Sequence, residues 1–104
     1  MFTRNVSIHL KSNMLSDYTR TFENDTLPLL RQQKGFKDEI TLSNPGSLDV
    51  IAISLWESKA NAETYNTNTY PQVLRTLERM IDGAPKVQTF EAVTSTFHKL
   101  AVAA

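Results

Sequence analysis

A tryptophan beside two small residues is the first arrangement in this sequence that could do chemistry. Trp56 ends the run VIAISLW, residues 50–56. Read as a strand, the run points alternate side chains to opposite faces. Ala52 and Ser54 then share a face with Trp56, and Ile51, Ile53 and Leu55 form the other. Two small side chains beside one large ring leave volume unfilled, the raw material of a pocket. Trp56 either stacks on an aromatic ligand there or closes the end of the core. Tyr65 and Tyr70 follow downstream. Each either offers its hydroxyl to a ligand oxygen or packs its ring and wets its hydroxyl. His9 is a proton-transfer group or a structural hydrogen-bonding group inside a barrel. His98 lies in the tail, and a metal site built from His9 and His98 alone lacks ligands. The sequence carries no Gly-rich phosphate loop, Ser-His-Asp set or HExxH motif.

The elements that must position these groups follow from periodicity. Residues 4–11 alternate, with Val6, Ile8 and Leu10 on one side and Asn5, Ser7 and His9 on the other, which predicts a strand. Ser16 or Asp17 opens a helix with Tyr18, Phe22, Leu29 and Leu30 on one stripe. Pro28 lies inside it and predicts a kink near Asn24 or a restart near Thr26. Gly35 stops it. Residues 36–43 predict a second strand, with Phe36, Asp38, Ile40 and Leu42 on one face. The turn Asn44-Pro45-Gly46-Ser47 leads into the strand that ends at Trp56. Ser58 caps the next helix. Residues 66–69 are poor helix formers and precede Pro71, so a break is expected there, with a new helix starting at Pro71. Such a break at a pocket mouth is a candidate gate. Val73, Leu74, Leu77, Met80 and Ile81 give the new helix its apolar stripe. Residues 86–95 predict the last strand. Residues 96–104 are expected to be loosely held or given to a partner.

The order β-α-β-β-α-β predicts an α+β, ferredoxin-like domain over residues 1–104, with a four-stranded antiparallel sheet and helices on one face. Ile51, Ile53 and Leu55 are then left on the open face, where a second copy is the economical cover. A homodimer is therefore expected. Lys plus Arg and Asp plus Glu are both 11, and without a basic patch no nucleic-acid partner is expected. The absence of cysteine excludes thiolate metal sites and thiol nucleophiles. No apolar run is long enough to span a bilayer, and the N-terminus lacks a signal pattern, so the expectation is a cytoplasmic protein with no membrane contact.

The run LWESKANAETY, the following YPQVLRTLERMIDGAPKVQTFEAV and the upstream PLLRQQKGF together resemble the antibiotic-biosynthesis-monooxygenase domain of the dimeric α+β barrel superfamily. The likeness covers roughly residues 6–93. Its strongest signature is Trp56-Glu57-Ser58 with the closing Phe90-Glu91-Ala92-Val93. The resemblance implies a dimeric α+β barrel and, in the quinone-forming branch, oxidation of a small aromatic without a cofactor. That branch uses a Trp at the end of strand three, here Trp56, and an Arg on the second helical segment, near Arg75. It also uses an Asn at the position of Ala52 and a Tyr at the position of Ala62; Tyr65 lies about one turn further on. In the haem-degrading branch the axial His falls at Arg75, so no haem is expected. The implied roles are Trp56 to position, Arg75 to stabilise and Tyr65 to hydrogen-bond, with Ala52, Ser54 and Tyr70 as contact residues. The alternative is a dimeric small-molecule-binding or structural protein without turnover, which the departures at Ala52 and Ala62 favour.

Overall fold

The structure is a computed structural model, and it describes residues 1–98. Four strands, β1 (Phe2–His9), β2 (Phe36–Ser43), β3 (Asp49–Trp56) and β4 (Lys86–Glu91), form one antiparallel sheet in the order β2-β3-β1-β4. The first and last strands are each displaced or shorter than expected: β1 starts at Phe2 and ends at His9, and β4 ends at Glu91. The predicted tail falls partly outside the described residues. The part that is described reaches from β4 to the far edge of the sheet, where His98 contacts Asp38 of β2.

Two helical runs cover one face. The first consists of α1 (Leu15–Thr21), a π turn (Phe22–Thr26) and α2 (Leu27–Arg31). Pro28 has no N–H to donate, and the chain answers by widening the turn just before it rather than breaking. The wider turn has a second effect. Tyr18, Phe22, Thr26 and Leu30 are all buried at a strict four-residue spacing. On a regular helix that spacing drifts around the axis, and the π turn brings it back to one face.

The second run consists of α3 (Lys59–Asn68), α4 (Tyr70–Leu77) and a 3₁₀ turn (Glu78–Met80). Ser58 caps it: its Oγ accepts from the Asn61 N–H at 3.2 Å. Gly35 packs against this cap. It has φ +80°, and a Cβ there would meet the Asn61 side chain at 2.3 Å, so both conformation and space require glycine. The expected break in this run is confined to Thr69 (φ −122°), with Tyr70 rather than Pro71 opening α4. Hydrogen bonds bracket it: Thr69 N–H donates to Tyr65 O at 2.9 Å and Gln72 N–H to Thr69 O at 3.1 Å. The break is a one-residue corner that turns Tyr70 toward the sheet.

The core lies between these runs and the inner sheet face, where Val6, Ile8, Val50, Ala52 and Trp56 meet Tyr18, Phe22, Tyr65, Val73, Leu77 and Met80. Ile51, Ile53 and Leu55 stand on the other face, as expected. One facing assignment is corrected. Phe36 pairs with Trp56 and Asp38 with Leu55, so Lys37 is an extra residue, a β-bulge. The bulge separates Phe36 from Asp38, Ile40 and Leu42. Phe36 packs edge-on against Trp56 inside, with ring centroids 5.6 Å apart, while the other three line the outer face. Beyond the bulge Glu39 and Thr41 point inward. The outer face carries large apolar side chains in the open: Ile40 52%, Leu42 48%, Ile51 39% and Phe90 51% exposed.

Candidate active site

Strand register builds the site. Glu39 of β2, Ser54 of β3 and Arg4 of β1 lie side by side on the inner face. Adjacent strands are ~4.8 Å apart, so the Glu39 and Arg4 backbones are about 10 Å apart across Ser54. Next to this row Ala52 pairs with Val6 and Thr41, which leaves the floor low. The helical runs supply the roof: Tyr18 and Phe22 from the first, Tyr65, Tyr70, Val73, Leu74 and Leu77 from the second. Between floor and roof is a small cavity of about 40 Å³, open at its mouth and lined mostly by apolar side chains.

Arg4 is the central charge. It is 3% exposed, yet among the described residues no carboxylate lies within ion-pair distance of it. Its Nη2 donates to Asn66 Oδ1 at 2.7 Å. Its guanidinium carbon stands 4.0 Å from the Tyr70 ring centroid and 5.2 Å from that of Tyr65. Burial lowers the Arg4 pKa, opposed by Tyr65 and Tyr70. Cation–π contacts in a desolvated setting are worth ~2 kcal/mol or more, which offsets part of the cost of burial. An anion in the cavity would offset the rest.

Tyr65 and Tyr18 are neutral donors. Burial pushes the Tyr65 hydroxyl up to about 12, with Arg4 acting in the opposite sense. Burial, reinforced by Glu39, raises Tyr18 further. The Tyr18 hydroxyl is enclosed and has no hydrogen-bond partner among the described residues, an arrangement native proteins rarely leave empty. Burial also raises the Glu39 pKa, against a hydrogen bond that Thr41 Oγ1 donates to its Oε2 at 2.6 Å. The sign for stability follows. A raised folded pKa means the charged form weakens the fold, so stability is greatest below the ordinary carboxyl pKa and falls as pH rises through the folded value. Glu39→Gln should therefore have a higher Tm than the wild type at neutral pH. Thermal melts should show this gain closing toward about pH 4, where both side chains are neutral.

The six residues singled out from the sequence are not all brought together. Ala52, Ser54, Tyr65 and Tyr70 line the cavity. Trp56 does not. It is 0% exposed, held between Phe36 and Tyr65, with its Nε1–H donating to Ser54 Oγ at 2.9 Å. It braces Tyr65 and fixes Ser54 from behind. Arg75 is exposed and lies outside the cavity. It sits two positions after buried Val73, and residues two apart on a helix do not share a face. Arg4 occupies the cavity instead. Arg4, Glu39 and Tyr18 were the residues missed as site groups. Strict alternation back from Val6 places Arg4 on the apolar face, so its signal was present. His9 faces outward, its Nδ1 2.8 Å from Asp49 Oδ1.

No family model and no curated protein matches the sequence. Solved structures do. An oxygenase described as cofactor-independent, SnoaB from Streptomyces nogalater, superposes with TM-score 0.76 at 12% identity, over 91% of this chain and 95% of its own. An antibiotic biosynthesis monooxygenase superposes with TM-score 0.72 at 11% identity, over 90% and 100%. The chain has the antibiotic-biosynthesis-monooxygenase fold. The fold extends beyond proteins with a stated activity: a protein of unknown function from Nitrosomonas europaea gives TM-score 0.76 at 14% identity, over 98% and 95%. Among the described residues, no helix of this chain is long and apolar enough to cross a membrane.

Proposed function

We propose that this chain binds a small phenolic aromatic, of the naphthol or hydroquinone kind, beside Arg4 and oxidises it with dioxygen without a cofactor. The observation that carries the reading is the buried guanidinium, without a carboxylate partner among the described residues, set in an apolar cavity beside two tyrosine rings. A phenolate fits it on three counts. Its oxygen meets the guanidinium, its ring fills the space above Ala52, and its π-face lies among aromatic side chains. The phenolate is itself electron-rich enough to reduce dioxygen, so the protein has to exclude water, fix the ring and stabilise charge. For a phenol with a free para position the sum is phenol plus dioxygen to quinone plus water. The O–H and ring C–H bonds break, one dioxygen atom becomes the new carbonyl, and the other leaves as water. Arg4 takes the stabilising role that the family resemblance gives to Arg75, and Tyr65 and Tyr70 hold the ring. The likeness to SnoaB supports this reading at the level of the fold.

The working unit is a homodimer with sheets facing across a two-fold axis, which would cover Ile40, Leu42, Ile51 and Phe90. A second reading, binding without turnover, is favoured by the full enclosure of Trp56, which leaves it no surface for a substrate. One experiment separates the two. Trp56 touches Tyr65, so its fluorescence should report ligand entry, and an oxygen electrode reports turnover. Titration with naphthols should change the emission and start oxygen uptake. Ala52→Leu, which fills the cavity without touching a polar group, should abolish both. Emission change without oxygen uptake favours the binding protein, and no change with any phenol rejects both readings.

A further inference from the structure

The cavity around Arg4 does not end at its own walls. A second, open cleft lies between the first helical run and β2, lined by Leu15, Glu23, Leu27 and Arg31 on one side and by Ile40 and Thr41 on the other. Tyr18, Phe22 and Glu39 line both spaces. Glu39 thus stands at the passage between them, half-buried, with the partnerless Tyr18 hydroxyl among its neighbours. The π turn, Phe22–Thr26, forms the helical lip of this passage. The corner at Thr69, where the sequence expected a gate, sets Tyr70 against the cavity around Arg4 and stays clear of the second cleft.

We infer that Glu39 is the proton acceptor of this site and that the protein takes phenols that are neutral in solution, admits them past Tyr18 and Phe22, and ionises them inside. The inference rests on the phenol-oxidising reading above. Its geometric basis is the row Glu39–Ser54–Arg4, which puts a carboxylate and a guanidinium on the two strands flanking Ser54, both lining one cavity. A neutral phenol crosses an apolar passage more readily than a phenolate. Inside, its O–H bond breaks, the proton passes to a Glu39 oxygen, and the electron pair stays on the phenolate oxygen facing Arg4. Tyr18 donates to that oxygen and so gains the partner it lacks. When dioxygen has accepted the electrons, Glu39 returns this proton; with the proton lost from the ring carbon it completes the departing water. The charged and titratable groups that face Glu39 among the described residues are Tyr18, Glu23 and Arg31 from the first helical run, Arg4 from β1, Tyr65 and Tyr70 from the second run, and Asp38 with its partner His98 at the edge of β2. Raised carboxyl pKa values suit general bases, and burial moves Glu39 in that direction.

The test compares wild type, Glu39→Gln and Tyr18→Phe with two probes: 1-naphthol, neutral at pH 7, and 2,4-dinitro-1-naphthol, already ionised there. Binding is followed by ligand absorbance and turnover of 1-naphthol by oxygen uptake. Wild-type kcat/KM for 1-naphthol should rise with pH through the ionisation of Glu39 and then level. Glu39→Gln should lose that limb and fall about 10²–10⁴-fold at neutral pH. Its defect should shrink as pH nears the ionisation of naphthol itself, and it should still bind the dinitro probe. Tyr18→Phe should keep the limb with a smaller loss. If wild type binds without turnover, the absorbance still decides: bound 1-naphthol should have the naphtholate spectrum in wild type and the neutral spectrum in Glu39→Gln. Equal spectra, or equal pH profiles, in the two proteins would overturn the role of Glu39 while the phenol-binding reading stands. Failure of wild type to bind either probe would overturn both.

Discussion

Arg4→Met should lose affinity for an ionised naphthol by about 2–5 kcal/mol, the cost of removing one partner of a buried charge pair. The protein itself should fold as well as before. In the unliganded protein Arg4 is a buried cation held by Asn66 and two aromatic faces, with no carboxylate among the described residues to compensate it. An apolar side chain of similar length in such a place is often neutral or stabilising. Binding and stability should therefore move apart: ligand titration fails while Tm holds or rises. A structural Arg4 predicts the opposite, a lower Tm together with weak binding. Arg4→Lys should retain part of the affinity, because the charge stays while the planar fork and its stacking on Tyr70 are lost. Turnover should drop further than binding, by ~10²–10³ in kcat for the loss of one group that stabilises developing charge.

Ile53→Asp carries the second large effect. Ile53 lies mid-strand on the outer face, between Asn5 of β1 and Ile40 of β2. On a lone protomer Ile53 is half-buried, and a carboxylate there would keep part of its contact with water. Between two facing sheets it would be buried without a partner, at about 3–5 kcal/mol per uncompensated charge. Sedimentation equilibrium should find wild type dimeric at micromolar concentration and Ile53→Asp monomeric or unfolded. A wild-type monomer, or a variant that stays dimeric, would place the partner elsewhere.

The element order and the two faces of β3 were legible because both rest on local rules. Alternation is unbroken from Val50 to Trp56, Ser58 is a capping residue in a capping place, and Pro28 forces an irregular turn wherever it falls in a helix. The site was less legible, and two residues show why. Lys37 carries no mark of being the bulged residue, since a bulge depends on pairing with Leu55 and Trp56, 18 and 19 positions away. Without the bulge Phe36 and Glu39 fall on opposite faces, and Glu39 is lost from the cavity. Arg4 continues the pattern of Val6 and Ile8, but a charge at a strand end ordinarily reaches water. It is buried here because the corner at Thr69 swings Tyr70 over it, a tertiary event that the Pro71 signal located without saying what it would cover. Arg75 was weighed through family spacing across that same corner, and the helical period on the far side turns it outward.

Isotope tracing tests the central claim most directly. Wild-type protein, freed of bound metals and cofactors by dialysis against chelator, is given 1-naphthol under labelled dioxygen, and the quinone is analysed by mass spectrometry. The account predicts one labelled oxygen atom in the quinone and the other in water, with the yield falling with Arg4→Met and with Ala52→Leu. Quinone without label, or the same labelled yield from all three proteins, would contradict it.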